Sequence, residues 1–475
     1  MTTTTAPSPH TIATSAAPAP RALRRGPVPR WWRDATLVAG WAVVLVVMAL
    51  WVAGGGLGEL GTVAEALTST GRLTGLVASA LLLVQVTLMA RVPWVEQAWG
   101  QDGLARVHRL VGFTSFTLLV AHIVLITLGY AAGTSAGIWG TLVDLVLDYP
   151  GMLLATAGTV ALVMVVVTSV KRARRRLRYE SWHLIHLYGY LGAGLALPHQ
   201  LWTGAEFLDS RTATVFWWSL WALAAGSFLV FRVGLPLWRS LAAPVRVVDV
   251  RSDAPEVTTV TVAGSRLHRL PARAGQFFQW RFLDGAGWSR AHPYSISAAP
   301  DGRTLRFTAA HVGDGSARLV TLAPGTRVLL EGPYGRLHAG VRTHRKVLLM
   351  GSGIGITPLR ALLEDLEQQP GDVTVVHRVR SAAEAVLADE LAAVAAARGA
   401  RYLLVEGHRI ADRASWLPQQ ARHLTDVEAL LQVVPDLADH DVFVCGADGW
   451  MTAVRDAAVA AGADPAAVHL ERFAY

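Results

Sequence analysis

Residues 179–200 read YESWHLIHLYGYLGAGLALPHQ, an apolar stretch of membrane-crossing character that nevertheless carries His183, His186 and His199. An ionisable side chain at membrane depth is costly, and it marks a functional site by default. Upstream, the apolar residues 107–130 carry two more histidines, His108 and His122. Imidazole is a standard axial ligand of haem iron. Two histidines on each of two helices, one pair near each bilayer face, is the arrangement that two stacked b-type haems require. Singly, each of these residues also reads as a membrane-interface or hydrogen-bonded core histidine.

Spacing chooses the pairs. His108 and His122 are 14 residues apart, which places them within about 40° of one helix face and about 21 Å apart along the axis. On the second helix, His186 to His199 spans about 19.5 Å and His183 to His199 about 24 Å. The shorter span matches, so His186 is the expected inner ligand and His183 a structural neighbour. Thirteen residues on an ideal helix put the two side chains about 140° apart. The helix is therefore expected to deform near Pro198, with Gly189, Gly192 and Gly194 easing the change.

Six apolar segments, near 35–54, 72–90, 107–130, 151–170, 182–202 and 213–235, are each long enough for a core that needs about 20 helical residues. Basic residues alternate between their connections. Arg21, Arg24, Arg25, Arg30 and Arg33 flank the first segment, Arg91, Arg106 and Arg109 follow the second, and KRARRRLR (171–178) follows the fourth. The other connections carry Arg72 and Arg211 among Glu59, Glu65, Asp144, Asp148, Glu206 and Asp209. The positive-inside rule then places both termini in the cytoplasm. Residues 1–34 read as a disordered cytoplasmic tail and 35–240 as a six-helix transmembrane bundle.

Composition narrows the remaining classes. Hydrophobic residues make up 52% of the 475, and the surplus lies in the first half. The net charge of +8 comes largely from arginine, with Lys171 and Lys346 the two lysines. Much of that charge flanks apolar segments, as topology demands, so nucleic-acid binding does not explain it. The single cysteine, Cys445, excludes an internal disulfide and any cysteine-ligated iron–sulfur cluster.

Beyond residue 243 the chain looks soluble. Residues 243–337 alternate in strand fashion and predict a small antiparallel barrel. Residues 345–475 alternate apolar strands with helices, as in a parallel sheet with crossovers. On one barrel strand stands HPYS, residues 292–295. Tyr294 offers a flat neighbour for a flavin ring and Ser295 a hydrogen-bonding group for it. GDGSARL (313–319) offers backbone N–H groups near Gly315 and Ser316 for a pyrophosphate, or forms an ordinary turn and N-cap. KVLLMGSGIGITP (346–358) runs from strand through Gly351, Gly353 and Gly355 into a helix containing Thr357, a dinucleotide-binding pattern. The next strand ends in RVRS (378–381) without the acidic residue that holds an NAD ribose. Arg378, Arg380 and Ser381 therefore favour the 2′-phosphate of NADPH, with NADH possible and plain solvated arginines as the alternative. DVFVCG places Cys445 and Gly446 at a strand end, facing a nicotinamide or simply buried. Phe473 or Tyr475, in the closing ERFAY, is placed to cover a flavin.

In this order the motifs resemble the ferric reductase/NADPH oxidase superfamily, over about residues 35–475. The resemblance implies a di-haem domain over 35–240, an FAD-binding barrel domain over 243–337 and an NAD(P)-binding domain over 345–475. It implies His108 with His186 for an inner haem and His122 with His199 for an outer one. YESWHLIH fits the family's Tyr-Glu lead-in, and HPYS resembles its His-Pro-aromatic-Ser/Thr flavin motif, from His292 and Pro293 onward. GSGIGITP and CG resemble the pyridine-nucleotide motifs, although Ala447 replaces the usual Pro. ERF is similar to the C-terminal Glu-x-Phe and favours Phe473 for flavin stacking. The implied activity is electron transfer from cytoplasmic NADPH through FAD and two b-type haems to an outer acceptor, a ferric chelate or oxygen. The multi-pass chain would sit among plasma-membrane lipid. The alternative is a membrane electron-transfer module that supplies a partner protein and turns over no small molecule itself.

Overall fold

In the computed structural model, described residues run from 31 to 472, apart from 175, 178, 205–206, 208–209, 243, 286–287 and 289. The tail expected over residues 1–30 therefore lies outside the description, and residues 31–34 already belong to the first helix. The membrane part contains α1 (Trp31–Ala53), α2 (Val63–Met89), α3 (Pro93–Trp99), α4 (Gln101–Ala131), α5 (Gly137–Leu147), α6 (Met152–Ser169), α7 (Tyr179–Trp202) and α8 (Arg211–Ser227). A π-helical stretch, Phe228–Gly234, carries α8 into α9 (Leu235–Ala242).

Five helical spans among the described residues are long and apolar enough to cross a membrane: Trp31–Ala53, Val63–Met89, Gln101–Ala131, Met152–Ser169 and Arg211–Leu241. The histidine-bearing α7 is not among them. Its 24 residues extend about 36 Å, but three histidines, a glutamine and a proline dilute its apolarity. The short helices α3 and α5 fall in connections where no helix is expected from the sequence. At 7 and 11 residues they are too short to span.

Capping and close approach shape the bundle. Thr62 and Glu65 form a capping box that starts α2, satisfying N–H groups that a helix start leaves orphaned. Gly158 of α6 and Gly192 of α7 meet backbone to backbone. A Cβ added at Gly158 would lie 2.8 Å from the Gly192 carbonyl oxygen. Small residues permit such approach between membrane helices.

Two sheets follow. The first is six-stranded and antiparallel, ordered β4-β3-β6-β1-β2-β5, with β1 Val245–Ala254, β2 Val257–Ala263, β3 Phe277–Phe282, β4 His292–Ser295, β5 Thr304–Ala310 and β6 Arg327–Tyr334. Its edges, β4 and β5, are joined by a single bridge, Ile296 to Phe307. Along β3, FFQWRF alternates half-buried and buried positions, the period-2 signature of a strand facing a core. Phe278, Trp280, Ile296 and Phe307 are fully buried there, each worth about 1.5–3 kcal/mol for its apolar bulk.

The second sheet is parallel, ordered β11-β10-β7-β8-β9, with β7 Lys346–Ser352, β8 Val373–Val379, β9 Arg401–Glu406, β10 His440–Cys445 and β11 Val468–Glu471. All seven residues of β8 and all six of β10 are buried. This is expected of parallel strands covered on both faces by helices.

Candidate functional site

The membrane helices enclose a cavity of about 1660 Å³, lined by His108, His122, His186 and His199. A typical small-molecule pocket is about 300–1,000 Å³, so this one has room for more than a single ligand. Across it the rings meet in two pairs. The centroids of His108 and His186 are 5.9 Å apart, and those of His122 and His199 are 6.5 Å apart. The pairing is the one spacing predicts, and α7 continues as helix through Pro198. The backbone of Gly151 presses against this point, where an added Cβ would lie 2.8 Å from the His199 nitrogen.

Hydrogen bonds fix how the rings present their nitrogens. Nδ1 of His122 donates to the Gly71 carbonyl at 2.8 Å, Nδ1 of His199 meets the Thr203 hydroxyl at 2.6 Å, and Nδ1 of His186 meets the Ser169 hydroxyl at 3.3 Å. Such partners orient an imidazole and set its tautomer, leaving Nε2 for a metal. Two metal–nitrogen bonds of about 2.0–2.1 Å plus about 1.1 Å from each nitrogen to its ring centre give roughly 6.3 Å between centroids for a metal held by two imidazoles. The observed 5.9 and 6.5 Å bracket that value. Among the described residues no group of three or more His, Cys, Asp or Glu could hold a bare ion. Each couple therefore offers two facing imidazoles, a donor set that would fit haem. His183 also lines the cavity, and Trp182 packs on His186 with centroids 4.9 Å apart.

The sequence motifs of the first sheet come together. In β4, Tyr294 pairs with Phe278 and Ser295 with Phe277. The Tyr294 ring stacks on Phe307 with centroids 4.7 Å apart and planes 5° apart. Pro293 is exposed and Ser295 buried. Gly315 abuts His292, and any Cβ there would collide with the imidazole. Ser316 is occupied locally: its hydroxyl accepts from Val312 and Gly313 N–H at 2.9 and 3.1 Å and donates to the Gly313 carbonyl. It thus plays the turn-and-cap role weighed against phosphate binding above.

In the parallel sheet, Gly351 pairs with Cys445 on one side and His377 on the other. A Cβ at Gly355 would collide with the Cys445 carbonyl, and one at Gly446 would lie 2.9 Å from Ser352 Cβ. These glycines serve close packing of two strand ends. Gly353 differs. It has φ +54°, its Cβ direction is open, and it leads into α10 (Ile356–Asp365), where backbone N–H groups suit a phosphate. The Thr357 hydroxyl donates to the Ile354 carbonyl at 2.9 Å.

Arg378 is placed otherwise than its sequence position leads one to expect. Its guanidinium is buried and donates to the carbonyls of Trp416, Val405 and His408 at 3.3–3.4 Å, and to that of Val379. Those donors are not available to a 2′-phosphate. Arg380 is exposed and pairs with Glu384 at 3.0 Å, and Ser381 begins the turn that carries Glu384. Cys445 is fully buried, and burial together with the Glu471 carboxylate holds its thiol well above the ordinary range. Phe473 and Tyr475 lie outside the described residues.

Four residues to which the sequence assigns no site role, Glu471, Glu96, Arg91 and Glu331, are buried or ion-paired in the structure. Glu471, the first letter of ERF, accepts from the Arg336 N–H at 3.3 Å. Its carboxyl is pushed up to about 8 by burial and by nearby Asp102. Glu96 on α3 is buried and pushed up to about 7 by that burial. Arg91 and Glu331 form an ion pair across 240 residues of sequence at 2.8 Å. A carboxylate inside an otherwise apolar strand end, RVLLEG, is the sequence signal for Glu331.

Residues 74–197 match the family described as ferric reductase like transmembrane component, and residues 349–456 match the oxidoreductase NAD-binding domain. The chain joins a ferric-reductase-like membrane domain to an oxidoreductase NAD-binding domain. This pairing fits a protein of the ferric reductase/NADPH oxidase type. An NADPH oxidoreductase of Mycobacterium tuberculosis is 28% identical over 248 residues, covering 50% of this chain and 62% of its own length. A flavohemoprotein of Vibrio cholerae is 29% identical over 199 residues, covering 40% of this chain and 48% of its own. The FAD/NAD-binding domain of nitric oxide dioxygenase from Vibrio cholerae O1 biovar El Tor superposes with a TM-score of 0.40 at 26% identity. That match covers 48% of this chain and 98% of the domain.

Proposed function

We propose that the chain is a transmembrane oxidoreductase that passes electrons from cytoplasmic NADPH, with NADH as a second donor, through FAD and two b-type haems to an acceptor on the outer face. Ferric chelates and oxygen are the candidate acceptors. The observation that carries this reading is the pair of facing histidine couples, 5.9 and 6.5 Å between centroids, in one membrane cavity. When bound, flavin supplies the change from hydride to single electrons, and haem supplies a relay through lipid that hydride cannot cross.

The chain's own residues divide the work by position. His108 and His186 would hold the inner haem and His122 and His199 the outer, with the His122, His186 and His199 imidazoles oriented through Nδ1. Tyr294 and Ser295 position the flavin ring. Gly353 and the first turn of α10 take the nucleotide phosphates, with Arg380 and Ser381 at the ribose end, Cys445 and Gly446 toward the nicotinamide, and Phe473 assigned to flavin stacking by the ERF motif. The chain crosses the plasma membrane as six helices, and the arginine-rich connections support placing both termini inside. The antiparallel sheet serves as the flavin-holding barrel.

His199→Ala tests the reading. It should remove about one haem per chain and stop transfer to an external acceptor, while NADPH still reduces the flavin. Retention of both haems would refute the ligand assignment. NADPH oxidation in proteoliposomes, with oxygen compared against ferric chelates and superoxide monitored, separates the acceptors. Turnover with neither would favour a module that feeds a partner protein.

A further inference from the structure

Glu331 stands in the middle of β6, and its side chain is 6% exposed. Arg91, from the connection between α2 and α3, reaches it at 2.8 Å, and Arg232, from the π-helical stretch, reaches it at 2.6 Å. Arg281 of β3 approaches at 3.3 Å, and the Tyr334 hydroxyl donates to it at 3.0 Å. Two membrane-domain cations thus converge on one flavin-sheet carboxylate. The adjoining residues repeat the theme. Arg239 of α9 donates to the Gly332 carbonyl at 2.9 Å, and Arg336 reaches back to the Ala98 carbonyl at 2.9 Å.

Both membrane-domain arginines sit on unusual backbone. Arg91 has φ +61°, a left-handed conformation that costs a non-glycine residue energy and persists only where its surroundings over-determine it. Its guanidinium lies over the Tyr334 ring, 4.3 Å from the centroid. Arg232 belongs to a seven-residue π-helix, a rare form that concentrates at functional sites. Two departures from regular backbone that aim at the same carboxylate indicate a contact maintained for a purpose beyond general packing.

Position supplies the purpose. Arg91 and Arg232 line the same cavity that contains the histidine pairs. On the other side, β6 leads through Tyr334 to Phe277 of β3, and Phe277 pairs with Ser295 of β4. The ion cluster therefore stands between the histidine cavity and the strand that carries HPYS. We propose that Glu331, clamped by Arg91 and Arg232, is a positioning residue that fixes how the flavin sheet docks on the membrane domain and so sets electron delivery to the His108/His186 pair. This rests on the function proposed above for its redox consequence, but not for the docking itself.

The carboxylate suits the task. Burial pushes it upward, yet Arg91, Arg232 and Arg281 together hold it below the ordinary carboxylate range. It therefore stays charged wherever the protein is folded near neutrality. Removing one partner from such a buried cluster leaves the others uncompensated.

The test uses the full chain in nanodiscs with spin labels on cysteines introduced at exposed Arg106 and Asp249; the native Cys445 is buried and does not interfere. Wild type should give one narrow label-to-label distance. Glu331→Gln should broaden it and slow NADPH-driven haem reduction roughly tenfold, within the range for residues sharing one ion-pair network, while flavin reduction keeps its rate. Glu331→Asp should recover part of both. Arg91→Gly suits φ +61° and guards against a folding defect, and it should broaden the distance as well. A narrow, wild-type distance in both Glu331→Gln and Arg91→Gly would overturn the proposal. So would equal slowing of flavin and haem reduction. Purified protein without haem would sink the function above, while the distance measurement would still decide the docking.

Discussion

Gly75 of α2 leaves almost no room between its backbone and the His122 ring. A Cβ at this position would lie 2.5 Å from Nδ1, 2.8 Å from Cε1 and 2.9 Å from Cγ. Ordinary van der Waals contact begins at 3.4 Å, so Gly75→Ala must push ring and helix apart by about 0.9 Å. The ring cannot yield freely, because its Nδ1 is bonded at 2.8 Å to the Gly71 carbonyl, one turn away on the same helix. Overpacking of this kind costs about 1–3 kcal/mol. If that cost falls on the outer haem alone, its affinity drops roughly 5- to 150-fold, at about 1.4 kcal/mol per tenfold. The inner pair, about 21 Å away along α4, should be untouched. Haem content by pyridine haemochrome and low-temperature difference spectra of purified Gly75→Ala should show loss or distortion of one b-type signal. Gly40→Ala, where nothing lies within 4 Å, is the matched control. Two unperturbed haem signals in Gly75→Ala would refute the argument that His122 is pinned between α2 and an axial ligand position.

Other outcomes concern residues of the parallel sheet and its connections. Glu471 has a folded-state value of about 8 against 4.5 for the free group. The folded protein thus binds the extra proton across that window, and this contribution to stability is present below about 4.5 and lost as pH rises through about 8. The melting temperature of Glu471→Gln should accordingly fall less than that of wild type between pH 5 and 8; parallel curves would contradict the assignment. Arg380→Ala should raise KM for NADPH several-fold, the scale of one exposed charge contact, and leave KM for NADH unchanged. Arg378→Ala should instead lower the melting temperature, since its donors serve buried carbonyls, and any folded fraction should keep its coenzyme preference.

The helical pairing was legible because a helix maps sequence spacing directly onto distance and face. His108 and His122 fall on one side of α4 by arithmetic alone. The 13-residue spacing on α7 was harder, because an ideal helix turns His186 and His199 apart, and the loop at Gly151 that meets Pro198 and His199 lies far away in sequence. Strand alternation announced the antiparallel sheet, as FFQWRF shows. What remained hidden depends on contacts between distant segments. Arg378 looks like a ligand beside a strand end until Trp416 and His408, 38 and 30 residues on, are seen to claim it. Arg91 counts in the sequence as one more topology-setting charge, and only folding brings it to Glu331. Ser316 illustrates the local case, where a motif residue satisfies its own turn.

The last membrane span runs through its π-helical stretch to Ala242, and β1 begins at Val245. With at most two residues between them, the chain can stretch only about 10 Å. The sheets and the membrane helices are thereby tied at fixed stoichiometry, and their encounter is unimolecular. Short tethers give effective local concentrations in the mM range, so dilution, ionic competition or low expression cannot separate the two halves as they can a freely diffusing reductase and its client. The contact at Glu331 is then relieved of holding the domains together, and its energy goes into orientation alone.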